Sequence, residues 1–562
     1  MTTTGSTPMT TAQTPTATGG TPTTGASTPM ASTPRSRTLQ EVIARQAALR
    51  PDQPAVVCSG RTLTYRELDR ESERTARVLR ASGVGPGSRV GYLGKEAVEY
   101  WELAFACART GAVLVPVNWR LTAREVDHIL RDSTTEVLLV DEEHLPVAAE
   151  VRKGLPTLRT LLCLDAQAAD AESLAARKSA LSAVSGARAA GSAARASAGG
   201  ADGDENSPVV QIYTSGTSGL PKGVVLAHRS FFNVAEAMED HGLDWLDWQP
   251  GDRSLIGLPG FHIGGLSYGM QAFNAGATVV SLPAFISSDA VRVIEEERVT
   301  TAIVAPAMLE LMLAEPAADR GALGSLRKVV YGGSPIGEEL LSRAIDVLDC
   351  DFLQIYGSSE TGNFAVCLPP ADHVPGSPLL RAAGRPYPGI EVRVEDPEGN
   401  ELPAGEVGEI CVRTPARMLG YWRLPEATER TVVDGWVHMG DAGYVDEDGY
   451  VHVRDRVNDM IIVAGENVYP AEIEDALARH PAVAGAAVVG LPHERWGESV
   501  HARVVLAAGR QAGARELLLF LRGRLADFKM PTSYDFAEAL PRNPSGKVLR
   551  RAVRDELAAA KG

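Results

Sequence analysis

At 562 residues the chain is too long for one compact core, and its length suggests roughly three to four domain-sized units. A content of 44% hydrophobic and 22% charged residues is that of an ordinary globular protein. The net charge of −16 excludes a general nucleic-acid binder, which needs a basic face, but leaves room for a local pocket that takes a phosphorylated ligand.

Residues 1–37 are rich in Thr, Ser, Pro and Gly and read as a disordered tail, because so little apolar surface cannot offset the entropy of ordering. The tail has no apolar core of the secretory kind, and its few basic residues, Arg35 and Arg37, make a poor transit peptide. Order begins at Leu39 with an amphipathic helix over 39–49 and a strand over 55–58. Helices over 65–82, 98–110 and 124–132 then alternate with strands over 89–93, 113–117 and 137–140. Such alternation predicts an α/β fold of mainly parallel, helix-covered sheets. Residues 166–206, rich in Ala, Ser and Gly, read as an exposed low-complexity insertion. Alternation resumes from Val209 to about Val453. Beyond Arg456 the pattern becomes a compact α+β unit, with helices over 470–480 and 514–525 and strands over 483–489 and 501–506.

Six widely spaced cysteines without a CxxC pair read as free thiols of a reducing cytoplasm. The 11 histidines show neither HxxxH nor HExxH spacing, which argues against a zinc site. No apolar run reaches the roughly 18 residues that a membrane helix needs.

The chemistry sits in a series of short motifs. Tyr213 to Gly223, YTSGTSGLPKG, follows the apolar run Val209–Ile212 and offers glycines, hydroxyls and Lys222. Glycines let backbone N–H groups approach phosphate oxygens, and the hydroxyls and lysine add donors and charge. It is not the common P-loop, because Pro221 stands where GxxxxGK[ST] has its second glycine. Tyr331 to Pro335 (YGGSP) and Gln354 to Gly362 (QIYGSSETG) each follow a strand-like run, at the positions where open parallel sheets bind ligands. Glu360 lies in a Gly/Ser loop where a carboxylate can hold Mg²⁺. Neither serine loop fits GxSxG, so a serine nucleophile is unsupported. Four further motifs follow: Trp436 to Asp441 (WVHMGD), Val453 to Asp459 (VRDRVND), Gly465 to Glu472 (GENVYPAE) and Pro541 to Lys547 (PRNPSGK).

In this order, and over about Leu39 to Val553, these motifs resemble the adenylate-forming superfamily of acyl-CoA synthetases, nonribosomal adenylation domains and luciferases, with bacterial fatty-acyl or aryl CoA ligases the most similar branch. The resemblance implies an N-terminal adenylating domain over 38–455 with a small barrel-like subdomain, a hinge at 456–458 pivoting on Asn458, and a mobile C-terminal lid over 459–562. It implies that Thr214, Ser215, Gly216, Thr217, Ser218 and Lys222 hold the ATP phosphates, and that Gly332, Gly333, Ser334, Gln354, Tyr356, Gly357 and Ser359 surround the adenine. Glu360 and Thr217 would hold Mg²⁺. Asp441 and Arg456 would hold the ribose, Lys547 would bridge the carboxylate and α-phosphate, and Gly465 would line the pantetheine tunnel. The segment Leu258 to Ser267 resembles the part that gates and lines the acyl pocket, with Phe261, His262, Gly264, Gly265 and Ser267 as candidate contacts. In this reading Gly264 and Gly265 leave space for a medium- or long-chain fatty acid or a sizeable aryl acid; helix packing is the competing role for the glycines, as is a core position for His262.

The expected reaction is ATP-dependent activation of a carboxylic acid followed by thioester formation with coenzyme A, by a cytoplasmic monomer or homodimer. Three departures stand out: Asn458 where Asp or Lys is usual, Met439 where Thr is usual, and Ser359 for Thr. The alternatives are a different acceptor (a carrier-protein phosphopantetheine acting in trans, an amine or nitrite) and an inactive ligand-binding homologue, against which the retained Lys222, Glu360, Asp441, Arg456 and Lys547 argue.

Overall fold

The computed structural model describes residues 36–164, 171–189, 204–214, 221–243, 245–334, 336–456, 459–463, 466–493, 496–525, 527–542 and 548–560. Residues 1–35 of the expected tail, and the expected positions of Ser215–Ser218, Asn458, Gly465 and Lys547, lie outside these residues.

Two large sheets form the body. In the first, six strands run parallel in the order Asp351–Tyr356, Lys328–Gly332, Thr301–Val304, Arg253–Ile256, Thr278–Ser281 and Pro54–Cys58, with antiparallel strands at both edges. These central strands are mostly apolar and mostly buried, as parallel strands covered by helices on both faces must be. In the second, Pro208–Thr214, Val113–Val117, Arg89–Leu93, Val137–Val140 and Thr160–Cys163 run parallel, and the antiparallel strand Lys222–Ala227 extends the edge. Helix Val98–Thr110 is apolar nearly all round and buried: Trp101 and Phe105 pack edge-on against Phe273 of helix Ile263–Ala275. The covering helices start where the sequence satisfies their free N–H groups. Thr64 and Thr122 each accept from the backbone N–H three residues on, and Glu67 and Glu125 bond back.

A five-stranded antiparallel sheet, built from Glu391–Glu395, Gly408–Arg413, Val432–Val433, Trp436–Val445 and Val451–Arg456, supplies the small subdomain. The C-terminal unit pairs Val483–His493 with Gly497–Leu506 in a hairpin longer than its apolar runs suggest, because backbone pairing continues through Gly490–His493 without needing apolar side chains. Its helix Ala514–Leu521 is shorter than expected; the chain turns at Gly523, whose φ is +75°.

Arg550 locks this unit. Burial opposes its charge, but Glu474, Asp455 and Asp459 hold the guanidinium well above its ordinary range, with Nη1 at 2.7 Å from Asp455 and Nη2 at 2.6 Å from Glu474. Asp455 also accepts from the Ala471 N–H at 2.8 Å, so the strand leading to position 458 is held by the unit that follows it.

Part of 166–206, read as an exposed insertion or linker in which the Ala-rich stretches can be helical, packs on the body. Within that stretch, Glu172–Ser173 adds a strand to the second sheet and Leu174–Ala189 is a helix packed on helix Tyr65–Ala81. The physical reason is Lys178, whose Nζ reaches 2.6 Å from Glu102 and 3.4 Å from Glu71. Glu102 is 3% exposed and also accepts from the Thr75 hydroxyl. Burial pushes its carboxyl up, and Lys178 and Thr75 offset that. Lys178→Ala leaves this carboxylate without its cation and should cost about 3 kcal/mol. Thermal denaturation should show the loss, and Glu102→Gln placed on the Lys178→Ala background should restore much of it.

Candidate active site

The C-terminal ends of the parallel strands open on one edge, and most of the expected site residues that are described gather there. Strand Lys328–Gly332 ends beside Asp351–Tyr356 with Gly332 opposite Ile355. A Cβ on Gly332 would stand 2.5 Å from the Ile355 carbonyl oxygen, and one on Gly357 would stand 1.8 Å from that of Asn363, so both turns require glycine for close backbone approach. Gly333 follows at φ +83°. Gln354 accepts from the Tyr331 hydroxyl at 3.0 Å, which places its amide at this edge.

Tyr356 reaches from the large sheet to the small one and donates its hydroxyl to Asp441 Oδ2 at 2.8 Å. Asp441 is buried, and strand pairing sets Arg456 directly across from it. In the same motif, Met439 stands with its Sδ 3.9 Å from the Ser358 hydroxyl, a weak contact at the position where the resemblance expects a threonine. Ser359 is buried in the short helix Ser359–Thr361, where Thr361 accepts from the Ser358 N–H at 2.9 Å and so shapes the loop that carries Glu360.

Glu360 meets Lys222 through a residue that reading the motifs missed. The hairpin of Pro208–Thr214 and Lys222–Ala227 pairs Thr214 with Lys222, so the two ends of the candidate phosphate loop stand side by side. The Lys222 Nζ lies 4.9 Å from the ring centroid of Tyr421, and the Tyr421 hydroxyl donates to Glu360 at 2.7 Å. Tyr421 is held in place by its pairing with Val224 and by Trp422, whose ring stacks under the Arg89 guanidinium at 3.5 Å. The available signal was the Gly420-Tyr421-Trp422 run, a glycine followed by two aromatics within a polar stretch. The carboxylate and the hydroxyls around it are hard oxygen donors, the kind Mg²⁺ takes.

For the glycines of the 258–267 segment the geometry favours packing, one of the two roles the sequence left open. A Cβ on Gly265 would stand 2.2 Å from the Leu258 carbonyl oxygen and 2.6 Å from that of Pro259; one on Gly264 would stand 2.8 Å from the Leu258 side chain. The space is filled by the protein itself, so these glycines let helix Ile263–Ala275 press onto the preceding loop and do not open an acyl pocket. Ser267 is fully buried within that helix. His262 caps the helix, accepting at Nδ1 from the Gly264 N–H at 3.1 Å, and burial lowers its pKa, which favours the neutral ring. Phe261 and His262 are half-buried.

Two residues absent from every motif fix this loop. Glu96 accepts from the Gly260 N–H at 2.7 Å and Tyr100 donates to the Gly260 carbonyl at 2.6 Å. A residue larger than glycine at 260 would collide with the Tyr100 ring, at 2.4 Å. Burial raises the Glu96 carboxyl to about 7, with the Gly260 N–H working against the shift.

With this geometry in view, the comparisons are decisive. Residues 43–422 match the AMP-binding enzyme family, and residues 472–547 match the AMP-binding enzyme C-terminal domain. The chain belongs to the AMP-binding enzyme family. Across 93% of this AMP-binding enzyme and 97% of the relative it is 55% identical to the fatty acid–[acyl-carrier-protein] ligase ScoC of Streptomyces coeruleorubidus. It is 38% identical to a feruloyl-CoA synthase of Amycolatopsis sp, over 92% of this chain and 99% of that one. Among solved structures, ATP-bound MatB from Rhodopseudomonas palustris superposes with a TM-score of 0.81 at 30% identity, covering 93% of this chain and 100% of the other. The fold is that of adenylate-forming enzymes, mixed α/β with a small C-terminal domain, and the reaction class is ATP-dependent adenylate formation.

Two outcomes test the loop assignments. Gly265→Ala must push helix and loop apart and should lower the melting temperature by several degrees, with weaker acid binding in the surviving enzyme. For Glu96, the folded state keeps a proton that the unfolded chain gives up near 4.5, so stability falls as pH rises from about 4.5 to about 7. Glu96→Gln keeps the oxygen that accepts from Gly260 and cannot ionise. The wild-type melting temperature minus that of Glu96→Gln should therefore be greater at pH 5 than at pH 8, and an equal difference at both would refute a buried, raised carboxyl.

Proposed function

We propose that this AMP-binding enzyme activates a medium- or long-chain fatty acid with ATP and transfers the acyl group to the phosphopantetheine thiol of an acyl carrier protein acting in trans. The observation that carries the acceptor is the 55% identity, over nearly the full length of both chains, to a fatty acid–[acyl-carrier-protein] ligase. Coenzyme A is the second reading, favoured by the feruloyl-CoA synthase relative at 38%. Both acceptors present the same thiol, so the change from the acceptor first expected concerns what stands behind it. The six cysteines are all free, which fits the cytoplasmic setting expected from the sequence.

In this mechanism Lys222 and the loop after Thr214 hold the β- and γ-phosphates. The Gly332–Ser334 and Gln354–Gly357 backbones seat the adenine. Asp441, oriented by Tyr356 and opposite Arg456, takes the ribose hydroxyls, as a carboxylate with two acceptor oxygens can. Glu360, positioned by Tyr421, would hold Mg²⁺, which supplies charge neutralisation at the phosphates. A carboxylate oxygen of the acid attacks the α-phosphorus while the bond to pyrophosphate breaks. Lys547 neutralises the charge that builds there, so that alignment and electrostatics do the work without a protein nucleophile. The thiol then loses its proton, its sulfur bonds to the acyl carbon, and AMP leaves. Rotation of the C-terminal unit about Asn458 would separate the two steps, bring the Gly465 loop to the thiol, and require Arg550 to release or carry Asp455.

Pyrophosphate release with ATP·Mg²⁺ across acids of graded chain length, followed by separate addition of holo-carrier protein and coenzyme A, tests the proposal. The expected result is a preference for aliphatic acids of medium length or longer and a higher kcat/KM for the carrier protein. Faster turnover of aryl acids, or of coenzyme A, would replace the corresponding half of the assignment. Lys547→Ala should slow adenylation by at least roughly 10²-fold, about 2.7 kcal/mol of transition-state stabilisation, and leave thioester formation from supplied acyl-adenylate far less affected.

A further inference from the structure

Away from the nucleotide edge, five polar side chains crowd one face of three adjacent strands in the small antiparallel sheet. Arg393 and Glu395 come from Glu391–Glu395, Glu409 and Cys411 from Gly408–Arg413, and His438 from Trp436–Val445. Pairing sets Arg393 across from Cys411, Glu395 across from Glu409, and Cys411 across from His438. The donor atoms of Glu395, Cys411 and His438 all lie within 4.8 Å of one another. Cys411 Sγ is 3.5 Å from His438 Nδ1, and the same nitrogen is 3.1 Å from Glu409 Oε2; His438 Nε2 is 3.9 Å from Glu395 Oε2. Glu395 is 4% exposed and Cys411 fully buried.

Hydrogen bonding does not account for all of these groups. Glu409 Oε1 accepts from the Gly440 N–H at 3.1 Å, which with His438 satisfies that carboxylate. Glu395 Oε1 is held by the Arg393 guanidinium in an ion pair. The Cys411 thiol has the Glu409 carbonyl at 3.8 Å and the His438 ring at 3.5 Å, both weak contacts. A dication bound here would displace the thiol proton of Cys411 and sit against the Glu395 carboxylate and the His438 ring. The spacing suits one: with bonds of about 2.0–2.3 Å to a tetrahedral ion, neighbouring donor atoms stand roughly 3.3–3.8 Å apart. The donor set of one thiolate, one imidazole and one carboxylate selects a borderline ion, Zn²⁺, over Mg²⁺ or Ca²⁺.

We propose that Glu395, Cys411 and His438 form a Zn²⁺ site in the small antiparallel sheet. The site uses three protein donors, and water completes the four-coordinate shell. Its effect falls on one strand in particular. His438 lies three residues before Asp441 on Trp436–Val445, and the pairing of that strand with Gly408–Arg413 shifts register between Glu409 and Cys411. A bound ion ties the strands together across that irregularity and stiffens the strand that presents Asp441.

The full-length protein, stripped with a chelator and free of nucleotide, is titrated with Zn²⁺ alone and, separately, with Co²⁺ alone. The proposal expects one equivalent of Zn²⁺ to bind and raise the melting temperature, and Co²⁺ to bring a thiolate-to-metal charge-transfer band in the near ultraviolet. Cys411→Ser should abolish the band, and Glu395→Gln should weaken Zn²⁺ binding at least about tenfold. If Cys411→Ser does not fold, His438→Gln takes its place, with loss of the stabilisation by Zn²⁺ as the readout. Failure of the wild type to bind one equivalent overturns the site. So does a band that survives Cys411→Ser, or Zn²⁺ affinity unchanged in Glu395→Gln and His438→Gln, since either places the ion elsewhere.

Discussion

The Tyr356 hydroxyl donates to Asp441 at 2.8 Å, and through that bond the large parallel sheet and the small antiparallel sheet share one edge. Tyr356 is the last residue of its strand, so its side chain leaves the sheet where the parallel strands end and their peptide groups lose their partners. Everything proposed for the nucleotide lies around this junction: glycine turns after two adjacent parallel strands, a carboxylate on the facing sheet, and an arginine directly across from that carboxylate. Open α/β sheets bind ligands at such ends because helix covering stops there and backbone N–H groups face outward.

A second tie works in the same way from the other large sheet. Lys222 ends one arm of a hairpin whose other arm ends at Thr214, and the Tyr421 ring lies against its ammonium while the Tyr421 hydroxyl holds Glu360. One aromatic residue thus sets the distance between the cation proposed for the phosphates and the carboxylate proposed for their metal. The first contact stands beside a glycine turn that tolerates no side chain: a Cβ on Gly357 would be 1.8 Å from the Asn363 carbonyl oxygen. The loop from Leu258 to His262 follows the same logic, with both polar groups of the Gly260 peptide taken by Glu96 and Tyr100.

The motifs were legible because their chemistry is local. Glycines, hydroxyls and charges within six to eleven residues of one another declare a phosphate or nucleotide loop without reference to the rest of the chain, and the alternation of apolar runs declares the sheets that carry them. What could not be read came from pairs far apart. Tyr421 is 199 residues from Lys222 in a stretch with no charge pattern of its own, and Glu96 is 164 residues from Gly260. Gly264 and Gly265 left space in a pocket and helix packing both open, since a missing side chain leaves the same letter whether a ligand or the Leu258 carbonyl fills the gap. The helix Leu174–Ala189 was read as part of an insertion or linker because the stretch around it is low-complexity, rich in Ala, Ser and Gly; its docking buries Leu174 and pairs Lys178 with a carboxylate 76 residues away on another helix.

The sequence alone determined the fold class and the order of the motifs, since periodicity and loop composition are properties of neighbours along the chain, and the motifs' resemblance to the adenylate-forming superfamily supplied the expected chemistry. The tertiary structure decided which of those groups face one another. Glu395, Cys411 and His438 show no ligand spacing in the chain, yet strand register gathers them within 4.8 Å. Neighbours in a sheet are set by pairing across strands, and that pairing depends on the burial of whole faces, a property that no short window of residues contains.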